Sequence, residues 1–228
     1  MYSIIVIGCG ATGSNLVALL SQYAISEKKV SEIILCDGDQ VESKNFINQK
    51  YTEKDINKNK ARVLSNRYSK LGINISYVDK FIENTEQLID IIDSCNKKNK
   101  IILVGCVDNN LARKYIHYAF IDKKIRDLIY IDTGNGDKER VGQTVVGVKY
   151  NYKILEPPVA DMYPEILKAE PKEEEVEYKC SKIEEHPQNF VVNVMSATVV
   201  FTMINNIVSL NKPVKSYVRF NTDNVSIK

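Results

Sequence analysis

The sequence predicts an α/β fold: a Rossmann-like, doubly wound, mostly parallel sheet with antiparallel strands at its C-terminal end. Three observations carry this. Five short apolar runs are continuous rather than alternating, as in strands buried on both faces. Longer segments of helical period separate them, which is the strand–helix alternation of a parallel sheet. A glycine-rich loop of the form G-x-G-x-x-G joins the first run to the first helical segment.

The apolar runs are SIIVI (3–7), EIILCD (32–37), NISYVD (74–79), IILVGC (101–106) and LIYIDT (128–133). Helical spacing is carried by Leu16, Leu19, Leu20 and Tyr23, then by Ala61, Leu64, Tyr68 and Leu71. Leu88, Ile91 and Ile92 mark a third helix, and Ala112, Ile116 and Ala119 a fourth. After residue 133 the pattern changes. VGQTVVGVKY (141–150) reads as a strand able to pair antiparallel. Residues 151–187 hold five of the six prolines and the run EPKEEEVEYK, and are expected as one long, partly mobile loop with a solvated charged face. Residues 189–210 return to apolar helix, interrupted too often by Asn and Ser to span a membrane, and SYVRFN (216–221) is a last strand. No internal repeat or second core is visible, so residues 1–228 are expected as one domain.

Composition narrows the function classes. Of 228 residues, 44% are hydrophobic and 26% charged, the balance of an ordinary globular domain. A net charge of +2 predicts no strong attraction to nucleic acid or to an anionic membrane. The first strand begins at Ser3, leaving no room for a signal peptide, and a cytoplasmic protein is expected. Cys9, Cys36, Cys95, Cys106 and Cys180 are odd in number, scattered and without a C-x-x-C pair, which fits reduced thiols and argues against a structural zinc site.

The glycine loop supplies the first chemistry. Gly8 allows the tight turn, Gly10 lets the backbone approach a phosphate, and Gly13 lets helix and strand pack closely; Ala11 and Thr12 complete the loop. The helix that follows offers unpaired N–H groups and a positive dipole end to an anion. Asp37 ends the second strand, where an acidic side chain can accept from two vicinal ribose hydroxyls. On these residues alone, NAD and ATP fit equally well.

The stretch DGDQVESKNFINQKYTEKDINKNKA (37–61) resembles the ThiF/MoeB family, which includes the activating enzymes of ubiquitin and its relatives. That family follows its second strand with D-x-D-x-V-x-x-x-N-x-x-R-Q and then D-I-G-x-x-K-A. Asp37, Asp39, Val41, Asn45, Gln49, Asp55, Ile56, Lys60 and Ala61 stand at the matching positions. Further on, Asp108, Asn109 and Arg113 match an Asp-Asn pair and the Arg of the next helix. Asp132, Gly134, Gly142 and Gln143 match later segments.

The resemblance implies an adenylyltransferase that uses ATP and Mg²⁺ to activate the C-terminal carboxylate of a ubiquitin-like or sulfur-carrier protein, working as a homodimer. It implies that Asp108 holds the metal, beside Asn109, that Lys60 and Asn45 meet the triphosphate while Asp37 and Asp39 hold the ribose, and that Gln49 belongs to the same nucleotide site. Asn48 stands where the family has Arg, with Lys44, Lys50 and Lys58 as nearby cations, and the family's leading helix with its Arg is not expected. Cys180 sits in the long loop, where some family members carry a cysteine that takes the activated partner; Lys179, Lys182 and His186 are close enough in sequence to lower its pKa. Two other readings are a non-catalytic, nucleotide-binding scaffold of the same family and an NAD-dependent oxidoreductase.

Overall fold

The first strand, β1 (Tyr2–Ile7), shows why the sheet is covered on both sides. All six of its residues are buried, and they alternate between two cores, Ile4 and Val6 facing one and Ile5 and Ile7 the other. The computed structural model describes residues 1–135, 140–170, 190–212 and 215–228. The elements after β1 are α1 (Ala11–Ser26), β2 (Val30–Cys36), α2 (Lys60–Tyr68), β3 (Ile75–Val78), α3 (Thr85–Ser94), β4 (Lys100–Gly105), α4 (Asn110–Ile121) and β5 (Leu128–Asn135). Then come β6 (Val141–Tyr150), β7 (Lys153–Glu156), α5 (Val159–Met162), α6 (Phe190–Val208), β8 (Tyr217–Asn221) and β9 (Ser226–Ile227).

The strands form one sheet in the order β3-β2-β1-β4-β5-β6-β8-β9, with β7 also paired to β6. Pairs from β3 to β5 are parallel and those from β5 onward antiparallel, as the change in sequence pattern predicts. The first core joins α1, α2 and α6 to one face; the second joins α3, α4 and α5 to the other. Among the described residues, α6 is the one helix long and apolar enough to cross a membrane, yet half of it is buried inside the molecule. Val192, Ala197, Val200 and Ile204 pack it into the first core, and Asn193 and Ser196, which interrupt the apolar run, are buried with them.

Residues 151–187, expected as one long loop, begin otherwise. β7 pairs with β6, α5 follows, and Pro164–Lys168 makes a 3-10 turn. Val159, Ala160 and Ile166 are buried in the second core, and this burial holds the segment. Residues 171–189, with the acidic run, lie outside the described residues.

Register sets up the functional edge. Ile7 pairs with Cys36 on one side and Gly105 on the other, so Gly8, Asp37 and Cys106 leave the sheet at the same level. The strand order reverses between β1 and β4, and ligands of open α/β sheets bind at the carboxyl ends of strands at such a point.

Candidate functional site

Each glycine of the loop has a different cause. Gly8 has φ +91°, and a Cβ there would lie 2.5 Å from the Cys106 carbonyl oxygen. At Gly13 a Cβ would lie 1.9 Å from the Gly8 oxygen, so helix and strand touch backbone to backbone. At Gly10 nothing stands within 4 Å of the side-chain position. Gly10 is therefore not required by the protein's own packing, and the space it leaves lies ahead of α1. Asn59, Asn84 and Asn109 cap α2, α3 and α4 with their side chains, whereas α1 starts after Gly10 with no side-chain cap and no acidic residue in its first turn. Its first N–H groups, those of Ala11, Thr12 and Gly13 included, have no partner within the helix.

The two carboxylates after β2 differ in their surroundings. Asp37 is buried, one oxygen accepting from the Cys9 N–H (2.6 Å) and the other from the Asp39 N–H (2.8 Å). Burial raises its carboxyl above the ordinary value, while the two N–H bonds and Lys60 pull it back. Asp37 thus ties the glycine loop to the β2 turn. Asp39 is half-exposed and accepts from Lys60 Nζ at 2.9 Å. Lys60 opens α2 and its side chain is 8% exposed, so it is no solvated surface lysine. Phe81, 56% exposed, follows β3 and lays its ring against the Gly38 Cα, between these carboxylates, where any Cβ would strike it at 2.5 Å.

The segment from Val41 to Asp55 is clamped over the first turns of α1. The Lys50 N–H donates to Ser14 Oγ (3.1 Å), and Asn15 Nδ2 donates to the Asn48 carbonyl (3.4 Å). Asp55 accepts from Thr52 and, at 2.5 Å, from Arg67, which also donates to the Lys50 carbonyl. Asn45 is buried, its Oδ1 accepting from the Glu42 N–H at 2.8 Å. Gln49 Oε1 is buried and has no hydrogen-bond partner among the described residues. Of the cations near Asn48, Lys44 pairs with Glu42 and Lys58 donates to the Lys54 carbonyl; Lys50 is exposed and in no ion pair among the described residues. Tyr51, a residue the motif reading passes over, is buried here and donates from its hydroxyl to the Cys9 carbonyl at 2.7 Å.

On the β4 side, Asp108 is exposed, touched by Asn109 Nδ2 at 3.3 Å, while Asn109 Oδ1 caps α4 through the Ala112 N–H. Asn109, not Asp108, does the capping, which leaves the Asp108 carboxylate open to solvent. Arg113 Nε pairs with both oxygens of buried Asp132 (3.1 and 3.3 Å), and its Nη2 donates to the Val107 carbonyl at 2.7 Å. Tyr130 donates to the same carboxylate at 2.9 Å. Burial raises the Asp132 carboxyl; Arg113 and Tyr130 oppose the rise. This cluster fixes the turn that carries Asp108. Beyond it, a cavity of about 430 Å³ is lined by Arg113, Gly134, Gln143, Tyr163 and Arg219. Gly142 is explained by the Phe220 ring, which fills the place of its side chain.

A buried polar chain that sequence reading also missed runs from Thr12 to Asn193, Asn135 and Ser196, joining α1, α6 and the end of β5. It is invisible in sequence because its members come from three distant segments. Burial pushes the Cys36 and Cys106 thiols up to about 12, so neither is a ready nucleophile. Cys180 lies outside the described residues.

The residues suit a nucleotide with a divalent ion. Phosphate fits the open space at Gly10 before the uncapped amides of α1. No three His, Cys, Asp or Glu side chains among the described residues cluster as a metal cage. Mg²⁺ needs none, since it is commonly held by one or two carboxylates together with phosphate oxygens and water.

The sequence matches the ThiF family over residues 1–226. No curated protein matches it by sequence. Among solved structures, selenomethionine PaaA is similar at TM-score 0.69 and 15% identity, covering 100% of this chain and 63% of that one. E. coli MccB solved with ATP is similar at TM-score 0.64 and 18% identity, covering 99% and 62%. The microcin C7 biosynthetic enzyme MccB in complex with N-formylated MccA is similar at 0.66 and 19%, covering 99% and 63%. The chain therefore spans a little under two thirds of the length of these proteins, and at such identities the likeness is one of fold.

Proposed function

The chain belongs to the ThiF family, and we propose that it binds ATP at the carboxyl edge of β1, β2 and β4 and transfers AMP to the C-terminal carboxylate of a peptide or a small carrier protein, of ubiquitin-like or sulfur-carrier type. The observation that carries this is the open space at Gly10 before the uncapped amides of α1, flanked by Asp39 and Lys60 on one side and Asp108 on the other. The reading is supported by solved MccB structures that hold ATP or the MccA peptide.

In this reading the α1 amides hold the α-phosphate and Asp39 meets the ribose, with Asp37 bracing both loops from behind. Lys60, already 2.9 Å from Asp39, adds positive charge between ribose and phosphates. Asp108 would hold Mg²⁺ with phosphate oxygens and water, and that ion supplies charge neutralisation when bound. The acceptor chain enters through the cavity beyond β5. One carboxylate oxygen attacks the α-phosphorus, the bond to the bridging oxygen breaks, and pyrophosphate leaves with the electron pair. The chain's contribution is position and charge.

ATP–pyrophosphate exchange tests this. Exchange should depend on an added carrier or peptide carboxylate and fall to background in Asp108→Asn. Exchange absent from every carrier tried, with ATP still bound, would leave the binding-only reading, which Asn48 in place of Arg favours. A second measurement locates the base. The strand order runs β1, β2, β3, so a nucleotide with phosphates over β1 and ribose over β2 brings its base toward Phe81. The chain has no Trp. In Phe81→Trp, ATP should quench the single tryptophan saturably through stacking, while pyrophosphate alone leaves the emission unchanged.

A further inference from the structure

We infer that Tyr51 is a positioning residue: it turns the Cys9–Gly10 peptide so that the Gly10 N–H points at the ligand's phosphate. The assignment rests on the nucleotide reading above. The peptide unit is planar and trans, so its C=O and N–H point in opposite directions. The Tyr51 hydroxyl holds the Cys9 C=O at 2.7 Å from one side, which sends the Gly10 N–H to the other. Among the described residues no acceptor takes that N–H, and no atom stands within 4 Å of the Gly10 side-chain position.

The neighbouring units are held independently. The Gly8 N–H donates to the Cys36 carbonyl at 2.9 Å, the Cys9 N–H donates to Asp37, and the Gly10 carbonyl accepts from Ser14 at 2.9 Å. None of these bonds fixes the Cys9–Gly10 unit between them, and its glycine tolerates either sense. Rotated by half a turn, it would present a carbonyl oxygen to a phosphate and oppose it. Tyr51 blocks that rotation from a segment itself clamped to α1 through Ser14 and to α2 through Arg67.

Tyr51→Phe removes the hydroxyl and keeps the buried ring. Calorimetric titration should show ATP and AMP affinity reduced about tenfold, the scale of one bond to a charged group, with adenosine affinity changed less than twofold. Equal losses for ATP and adenosine would mark a general packing effect and overturn the inference, as would unchanged affinity for all three. A second readout does not need the nucleotide. With only ten glycines in the chain, ¹⁵N-glycine labelling gives a sparse spectrum. Inorganic pyrophosphate should shift the Gly10 amide in the wild type and leave it in Tyr51→Phe. Should the wild type bind no ATP, the nucleotide reading fails. The Gly10 shift then decides the Tyr51 assignment: its loss in the variant upholds it, and its absence in the wild type removes it.

Discussion

Replacement of Gly13 by alanine is expected to abolish nucleotide binding and to lower the melting temperature by roughly 6–12 °C, the equivalent of about 3 kcal/mol in a chain of this size. The methyl group would sit 1.9 Å from the Gly8 carbonyl oxygen, a backbone atom. No rotamer change relieves such a contact, so α1 must move off β1. Gly8 cannot retreat, because its own Cα side already abuts the Cys106 carbonyl. The displaced helix takes its amides away from the loop. Gly10→Ala is the companion. Its methyl meets nothing among the described residues, so the fold should hold within about 2 °C while ATP affinity falls, because the added group would occupy the space proposed for the phosphate. Calorimetric titration and thermal melts on the two variants separate the roles; a stable Gly13→Ala that binds ATP would contradict the geometry.

Arg113→Met should destabilise the fold by about 3–5 kcal/mol, because it strands the Asp132 carboxylate in the interior. Asp132 is 3% exposed, and Tyr130 would be its one remaining side-chain partner among the described residues. The pH dependence has a definite sign. Burial already raises this carboxyl in the native protein and Arg113 opposes the rise, so removing Arg113 raises it further. A raised carboxyl favours the protonated native form. The variant's deficit should be smallest below the ordinary Asp value of about 3.9 and grow as pH climbs through the raised one. Urea unfolding at pH 5 and pH 8 measures this, and a deficit equal at both would show that Asp132 is not the stranded charge.

The parallel half of the fold was legible because strands buried on both faces leave continuous apolar runs, and the change at residue 133 announced the antiparallel half. β7 escaped because its four residues are exposed, so no burial pattern marks them. Residues 159–168 escaped because prolines suggested a loop, while their burial depends on tertiary packing against α4 and β6 that no local pattern announces. Within the site, motif spacing picked out Asp37, Asp39, Lys60 and Asp108 as candidates. It carried no information on how Asp37 and Asp39 divide their work, which depends on where each carboxylate's lone pairs point after the turn closes. Tyr51 left no trace either: an aromatic residue in a polar stretch is unremarkable until its hydroxyl meets a carbonyl 42 positions away.

The order β3-β2-β1-β4 has a consequence for assembly. β1 is first in the chain yet central in the sheet, and one of its partners, β4, arrives nearly a hundred residues later. The Cys106 carbonyl that backs Gly8 arrives with it. α6, which covers the same face as α1, comes later still. The glycine loop therefore takes its walls from segments far beyond it in the chain, and it is complete only when β4 and α6 have docked. The loop's shape is a product of completed folding, not of the strand and helix that it joins.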